Sequence, residues 1–262
     1  MGMHIIGIDI GTQGTKAALF NEQMELVCTA FEESKLISPA PGTVWQEPDD
    51  LYGSCARTIK ELLEKSGLRG TDIAAIGVDG QMAGIMGIDS RGQASTYYDS
   101  WLDMRCGKYM DMMNERAGKR VIALSGGPVT YIHGPKILWW KHEHPEAYVK
   151  TAKFVLPQAY VVGRMTGLDA ENAYFDYTHL HFSCFADNAN KRWSDELLET
   201  FDISPDKFPR IVSPFDVVGK VTREFAAISG LAEGVPVVAG CGDTAASTFG
   251  SGMFRRNMVQ DC

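Results

Sequence analysis

The stretch HIIGIDIGTQGTKAALFN, residues 4–21, decides how this chain is read. Two apolar runs, IIGID (5–9) and TKAALFN (15–21), flank the short cluster IGTQG. A connection that short joins antiparallel neighbours, because parallel strands need a crossover of a dozen or so residues. Asp9 closes the first run, and Gly11 and Gly14 let the backbone bend and come close to a ligand. Successive amides around such a turn can point at phosphate oxygens, with Thr12 and Thr15 offering hydroxyls and Lys16 a charge. Asp9 is placed to hold Mg²⁺, directly or through water, since that ion favours carboxylates and keeps its waters. The turn is not a Walker A loop: Lys16 follows Thr15 rather than a glycine, and a strand follows rather than a helix. It does not match GxGxxG either. On local pattern alone, a plain structural hairpin stands beside the phosphate turn as an equal reading.

Working outward, MELVCTAFEES (24–34) follows a second turn-prone spacer and makes a third antiparallel strand. SPAPGTVWQEP (38–48) reads as an irregular loop. DDLYGSCARTIKELLEKSGL (49–68) places apolar residues at 51, 52, 55, 59, 62 and 63, one face of a helix with an Asp cap and a Gly stop. IAAIGVDG (73–80) is then a buried strand reached through a helical crossover, which sets it parallel to a neighbour. Farther on, GPKILWWKHEHPEAY (134–148) reads as a helix opened near Pro135 and closed before Pro145. KFVLPQAYVVGRMTG (153–167) is a mixed apolar segment ending in a Gly turn, and RWSDELLETFDI (192–203) an amphipathic helix capped by Ser194. The expected fold class is α/β, a mixed sheet with three antiparallel N-terminal strands and helices on its faces.

Composition narrows the function classes. A chain that is 45% hydrophobic and 22% charged can bury a real core. Its net charge of −8, without any run of Lys and Arg, disfavours a nucleic-acid surface. The six cysteines form no CxxC pair and several sit in apolar runs, so buried reduced thiols and a cytoplasmic location are expected. The first residues read as a short β-like run with an aspartate in it, so no signal peptide is expected, and the longest apolar stretches fall short of a membrane span.

GVPVVAGCGDTAASTFGSG (234–252) repeats the opening logic: a strand, a glycine-flanked aspartate, then small residues able to start a helix. Asp243 at such a strand end could orient and deprotonate an attacking hydroxyl. It could equally cap the helix begun by Thr244. Two glycine-flanked aspartates, one near each end of the chain, carry more weight than either alone.

Together these segments resemble the FGGY family of carbohydrate kinases, and in particular its N-terminal domain. GIDIGTQGTK resembles the family's first phosphate motif, PKILWWKHEHPE its PKLLWLKENEPE segment, and FVLPQAYVVGRMTG with ENAYFDYTHLHF its LPxDYxxxxLTG…D…A…T block. GVPVVAGCGDTAAS resembles its catalytic strand. The resemblance implies the actin/hexokinase-like (ribonuclease H-like) ATPase fold and ATP with Mg²⁺ as cofactors. It implies Asp9 at the metal, Gly11, Thr12, Gly14, Thr15 and Lys16 at the phosphates, and Asp243 as the base acting on a sugar or polyol hydroxyl. GQMAG (80–84) and SWLDMRC (100–106) resemble sugar-facing segments, which implies substrate contacts from Gln81, Met82, Trp101, Asp103 and Arg105, and from Thr244 beside the catalytic aspartate. Core packing is an equal reading of Trp101, and a structural salt bridge of Arg105.

The implied substrate is a ketopentose such as xylulose, with ribulose, glycerol, gluconate and erythritol as alternatives. GQMAG departs from the xylulokinase segment GQMHG, because Ala83 stands where the histidine is expected. NMVQDC (257–262) resembles the lead into the family's second phosphate motif, so residues 1–250 are expected to be the sugar-binding and phosphate domain. Residues 251–262 would then start the linker into a C-terminal ATP-binding domain that the chain lacks. A chain without that half is expected to be a catalytically silent sugar-binding piece whose exposed apolar surface favours self-association, a homodimer included. The HxH pairs His142/His144 and His179/His181 lack further ligands for zinc, and Trp139-Trp140 reads as packing.

Overall fold

In the computed structural model, which describes residues 3–253, the opening stretch forms β1 (His4–Ile10) and β2 (Gly14–Phe20), followed by β3 (Leu26–Glu33). The three pair antiparallel, as the short connections require. Helix α1 (Pro48–Ser66) then crosses over to β4 (Ile73–Gly80), which lies parallel to β1. Strands β5 (Val217–Lys220) and β6 (Pro236–Val238) complete one six-stranded mixed sheet in the order β5-β6-β4-β1-β2-β3.

The alternation of side chains along these strands divides the sheet into two unlike faces. Ile6, Ile8, Ile10, Ala17, Leu19, Ile76 and Val78 are buried on one face. That face is covered by α1 and by a second helix, Pro157–Thr166, with helix Arg223–Ser229 packed beside them. Leu51, Cys55, Ile59, Leu62 and Leu63 form the inward stripe of α1. The opposite face presents Gly7, Asp9, Lys16, Ala18, Gly77 and Asp79 to a cavity of about 590 Å³. Its chemistry is therefore set by small residues and charges rather than by core packing.

Local differences from the sequence reading have simple causes. No aspartate caps α1: Glu47 is the cap residue and makes no side-chain cap bond, and Pro48 takes the first helical position. Proline's fixed φ suits that position, and Asp49 and Asp50 fall in the first turn, where the helix dipole favours negative charge. Gly67, at φ 69°, ends the helix as expected. The 134–148 segment is two helices, His133–Glu143 and Pro145–Lys150, because Pro145 starts the second as it ends the first. The 153–167 segment divides at Pro157 into a strand, Lys153–Val155, and the helix already named. Ser194 caps helix Asp195–Thr200 by accepting from Leu197 N–H.

Among the described residues no helix is long and apolar enough to cross a membrane, and the five cysteines there are all free. The greater part of the expected linker, residues 254–262, lies outside the described residues.

Candidate active site

Three strand ends meet on the open face of the sheet. Asp9 and Asp79 are partners in the β1–β4 register, on strands that run parallel. Neighbouring strands lie about 4.8 Å apart, so the two carboxylates project side by side. Each has a buried Oδ1 with no hydrogen-bond partner. Burial, reinforced by Asp9 and then Asp243, pushes Asp79 up to about 8. Burial, and then Asp243, also raises Asp9, while Lys16 opposes the shift from β2. Asp9, Lys16 and Asp79 all line the 590 Å³ cavity.

The third strand end carries Asp243, and its turn is held from several sides. Gly240 sits at φ 74°, and a Cβ there would fall 1.7 Å from the Val78 carbonyl oxygen, so only glycine lets the chain pass β4 so closely. Gly242 then makes a parallel bridge to Gly80. A Cβ on Gly242 would meet Met82 Sδ at 2.6 Å. The Gly242 N–H donates to Thr178 Oγ1 at 3.0 Å, and Thr178 in turn donates to Asp176 Oδ1. Asp176 is fixed by His179 Nδ1 at 2.7 Å, both side chains being wholly buried. After this turn, helix Asp243–Gly250 begins at Asp243 itself, with Gly242 in the cap position. Asp243 Oδ1 accepts from Thr244 N–H at 2.5 Å and from Thr244 Oγ1 at 3.1 Å. The capping reading is thus replaced: Asp243 is the first helical residue, half-buried at the edge of the open face.

The turn at 11–14 is tight, with Gly11 N–H donating to Gly14 O at 3.0 Å. Its glycines serve different ends. A Cβ on Gly11 would be crowded by the turn's own carbonyl at 3.1 Å, whereas one on Gly14 would strike the Phe31 ring at 2.4 Å. Gly14 therefore has a packing reason independent of any ligand. The Thr15 side chain departs from the phosphate assignment: it points to the helix-covered face, where its hydroxyl pairs with Ser54 Oγ at 2.7 Å. Strand alternation dictates this, since Lys16 beside it must then face the cavity.

Thr12 connects the turn to the expected sugar side. It accepts from Trp101 Nε1 at 2.8 Å and donates to Gln81 Oε1 at 3.2 Å, and Gln81 Nε2 donates to Gln46 at 2.7 Å. Trp101 is 47% exposed, so it is not a core residue. Met82 and Thr244 share a second cavity of about 430 Å³ with Thr178 and His181. Ala83 holds the left-handed conformation, at φ 65°.

Asp103 and Arg105 sit differently. Asp103 accepts from Val44 N–H at 2.8 Å and from Arg105 Nε at 2.8 Å. Arg105 also donates to Asp99 and to Tyr97 OH, each at 2.6 Å, and stacks 4.2 Å from the Trp139 ring. Their polar groups are committed inside the protein, the salt-bridge reading, and they brace the loop that presents Trp101.

Sequence reasoning missed Asp79, Asp176 and Thr178. For Asp79 the signal was present: IGVDG (76–80) has the same strand-end aspartate beside glycine as GIDIG and GCGD. The histidine pairs make no metal cage, His179 being spent on Asp176. Among the described residues no group of three or more His, Cys, Asp or Glu side chains could hold a metal. A cation at Asp9 would draw most of its ligands from water and phosphate, which suits Mg²⁺. The orphaned Asp9 Oδ1 fits that role.

Comparison with known proteins places the chain in a family. Residues 4–250 match the family model described as the FGGY family of carbohydrate kinases, N-terminal domain. The chain belongs to that family. It is 32% identical over 254 residues to the xylulose kinase of Escherichia coli (strain K12), covering 97% of this chain and 51% of that enzyme. The structure of xylulose kinase from Rhodospirillum rubrum matches with a TM-score of 0.88 at 26% identity, over 96% of this chain and 52% of that one. Plasmodium falciparum glycerol kinase with ADP shares the fold, with a TM-score of 0.86 at 20% identity, over 97% of this chain and 51% of that one. This FGGY domain therefore has the actin/hexokinase-like ATPase fold, and it spans about half the length of the curated relatives it matches.

Proposed function

We propose that the protein of which this FGGY domain is part transfers the γ-phosphoryl group of ATP to a hydroxyl of a small sugar or polyol, a ketopentose such as xylulose first among them. The observation that carries this reading is that Asp9 and Lys16 line one cavity with Asp243 close enough to raise Asp9, while the turn between β1 and β2 is hydrogen-bonded through Thr12 to Gln81 and Trp101. Phosphoryl transfer asks a protein mainly for positioning and charge neutralisation. The Gly11–Gly14 turn and Lys16 would take the phosphates. Asp9 would hold Mg²⁺, which when bound supplies positive charge to the phosphate oxygens. Asp243 would accept the hydroxyl proton or orient the attacking oxygen, with Thr244, Gln81, Met82 and Trp101 around the substrate. Asp103 and Arg105 would act by fixing the Trp101 loop. Ala83 offers no polar side-chain group where a histidine was expected, and the substrate is therefore chosen by test among xylulose, ribulose, glycerol, gluconate and erythritol.

A second reading concerns the chain by itself. Because it spans about half of its relatives, we propose that residues 1–250 bind sugar and that turnover needs a further ATP-binding domain reached through residues 251–262. A cytoplasmic location, and a homodimer formed through the apolar surface left open, belong to the same proposal.

The test is ADP formation by the longer protein over that sugar panel. One sugar is expected to support turnover, and Asp243→Asn to abolish it while sugar binding persists. Turnover at the normal rate in Asp243→Asn would remove Asp243 from its role, and no response to any sugar by the folded protein would count against the kinase reading.

A further inference from the structure

The feature that the reading above leaves unused is Asp79. We propose that Asp79 is a second carboxylate of the divalent-cation site, sharing the ion with Asp9. The inference rests on the phosphotransfer reading for the presence of that ion, and its test needs no turnover.

Geometry carries the argument. Asp9 and Asp79 are register partners on adjacent parallel strands, so their side chains leave the same face of the sheet. Both line the same cavity, and around them stand Gly7, Gly77 and Gly240, which leave room close to the strand ends. Each carboxylate keeps one buried oxygen without a donor. Buried polar atoms in folded proteins are nearly always paired, so two orphaned oxygens side by side call for a missing partner. Asp243 adds a repelling charge to both, and Lys16 on β2 offsets it at Asp9, so a cation between the two carboxylates would relieve the pair. A divalent cation satisfies both oxygens at once. Mg²⁺ commonly takes one or two carboxylates and completes its shell with waters and phosphate oxygens. The competing arrangement is a protonated Asp79 donating to Asp9, which needs no metal.

Mn²⁺ serves as the probe, with free ion followed by electron paramagnetic resonance during titration of the 262-residue chain. The unaltered chain is expected to bind Mn²⁺, and both Asp9→Asn and Asp79→Asn to weaken binding by about tenfold or more. Asp111→Asn, on an exposed helix position, is expected to leave it unchanged. Mn²⁺ should raise the melting temperature of the unaltered chain more than that of Asp79→Asn at the same concentration, because a ligand stabilises the state that binds it by an amount that grows with its affinity. Asp79→Ala supplies a second variant if the asparagine does not fold.

Unaltered Mn²⁺ affinity in Asp79→Asn alongside loss in Asp9→Asn would overturn the inference, leaving the ion to Asp9 alone. Absence of Mn²⁺ binding by the unaltered chain overturns it as well. Neither result bears on ADP formation by the longer protein, so failure here and failure of the kinase reading are separable.

Discussion

Asp79 shows how a single position can couple stability to pH. Burial, with Asp9 and Asp243 beside it, pushes its carboxyl up to about 8 from an ordinary 3.8. The folded state therefore holds a proton that the unfolded chain releases between those values. The sign follows: the metal-free protein keeps this contribution below about pH 4 and loses it as pH rises toward about 8. Carboxylates with lowered values, Glu32 and Asp187 among them, act in the opposite sense at acid pH, so the informative quantity is a difference. With chelator present, urea unfolding of the unaltered chain should weaken between pH 5 and pH 8 relative to Asp79→Asn. Parallel profiles for the two would mean that Asp79 stays ionised or solvated. At this same scale the sequence was legible for Asp9 and Asp243, whose glycine neighbours advertise a close backbone approach. It misled at Thr15, because a hydroxyl in a phosphate-like motif says nothing about which face of the strand it takes.

At the scale of elements, the hairpin, the α1 stripe and the parallel return to β4 were readable because apolar spacing reports directly on which side is buried. Caps and breaks were harder, since Pro48, Pro145 and Pro157 each start a helix where a proline alone can also be read as a stop. The loop carrying Trp101 was beyond sequence reading. Its shape depends on Arg105 reaching Asp99, Asp103, Tyr97 and Trp139 together; the first three lie within eight residues of it, but which of these groups a guanidinium meets is set by the fold of the loop and by the distant Trp139 and Val44, not by spacing. Removing the guanidinium takes from Asp99 and Asp103, both almost wholly buried, the cation that hydrogen-bonds to both, leaving only the buried Lys136 nearby. Arg105→Met is therefore expected to destabilise the chain by about 3–5 kcal/mol. A chemical-denaturation curve measures this, and a loss below about 1 kcal/mol, the range of an exposed pair, would show that the loop is braced otherwise.

For the whole molecule, the decisive fact is that one sheet face is covered by helices and the other is open. The open face is edged by Phe215, Val217 and Phe249, all exposed. On the proposed function, the chain in isolation is expected to bind one sugar of the panel, read as a change in Trp101 fluorescence lost in Trp101→Phe, without forming ADP. Sustained ADP formation by the isolated chain would contradict the need for a further domain.

By itself the sequence determined the antiparallel start, the parallel crossover, the family and two of the three strand-end aspartates. Each of these is written in local spacing or in contiguous motifs. Only the tertiary structure decided which side chains share a face. It set Asp79 beside Asp9, turned Thr15 into the core, and closed Asp103 and Arg105 into a brace. Register between strands and packing between distant segments govern those outcomes, and neither has a local signature.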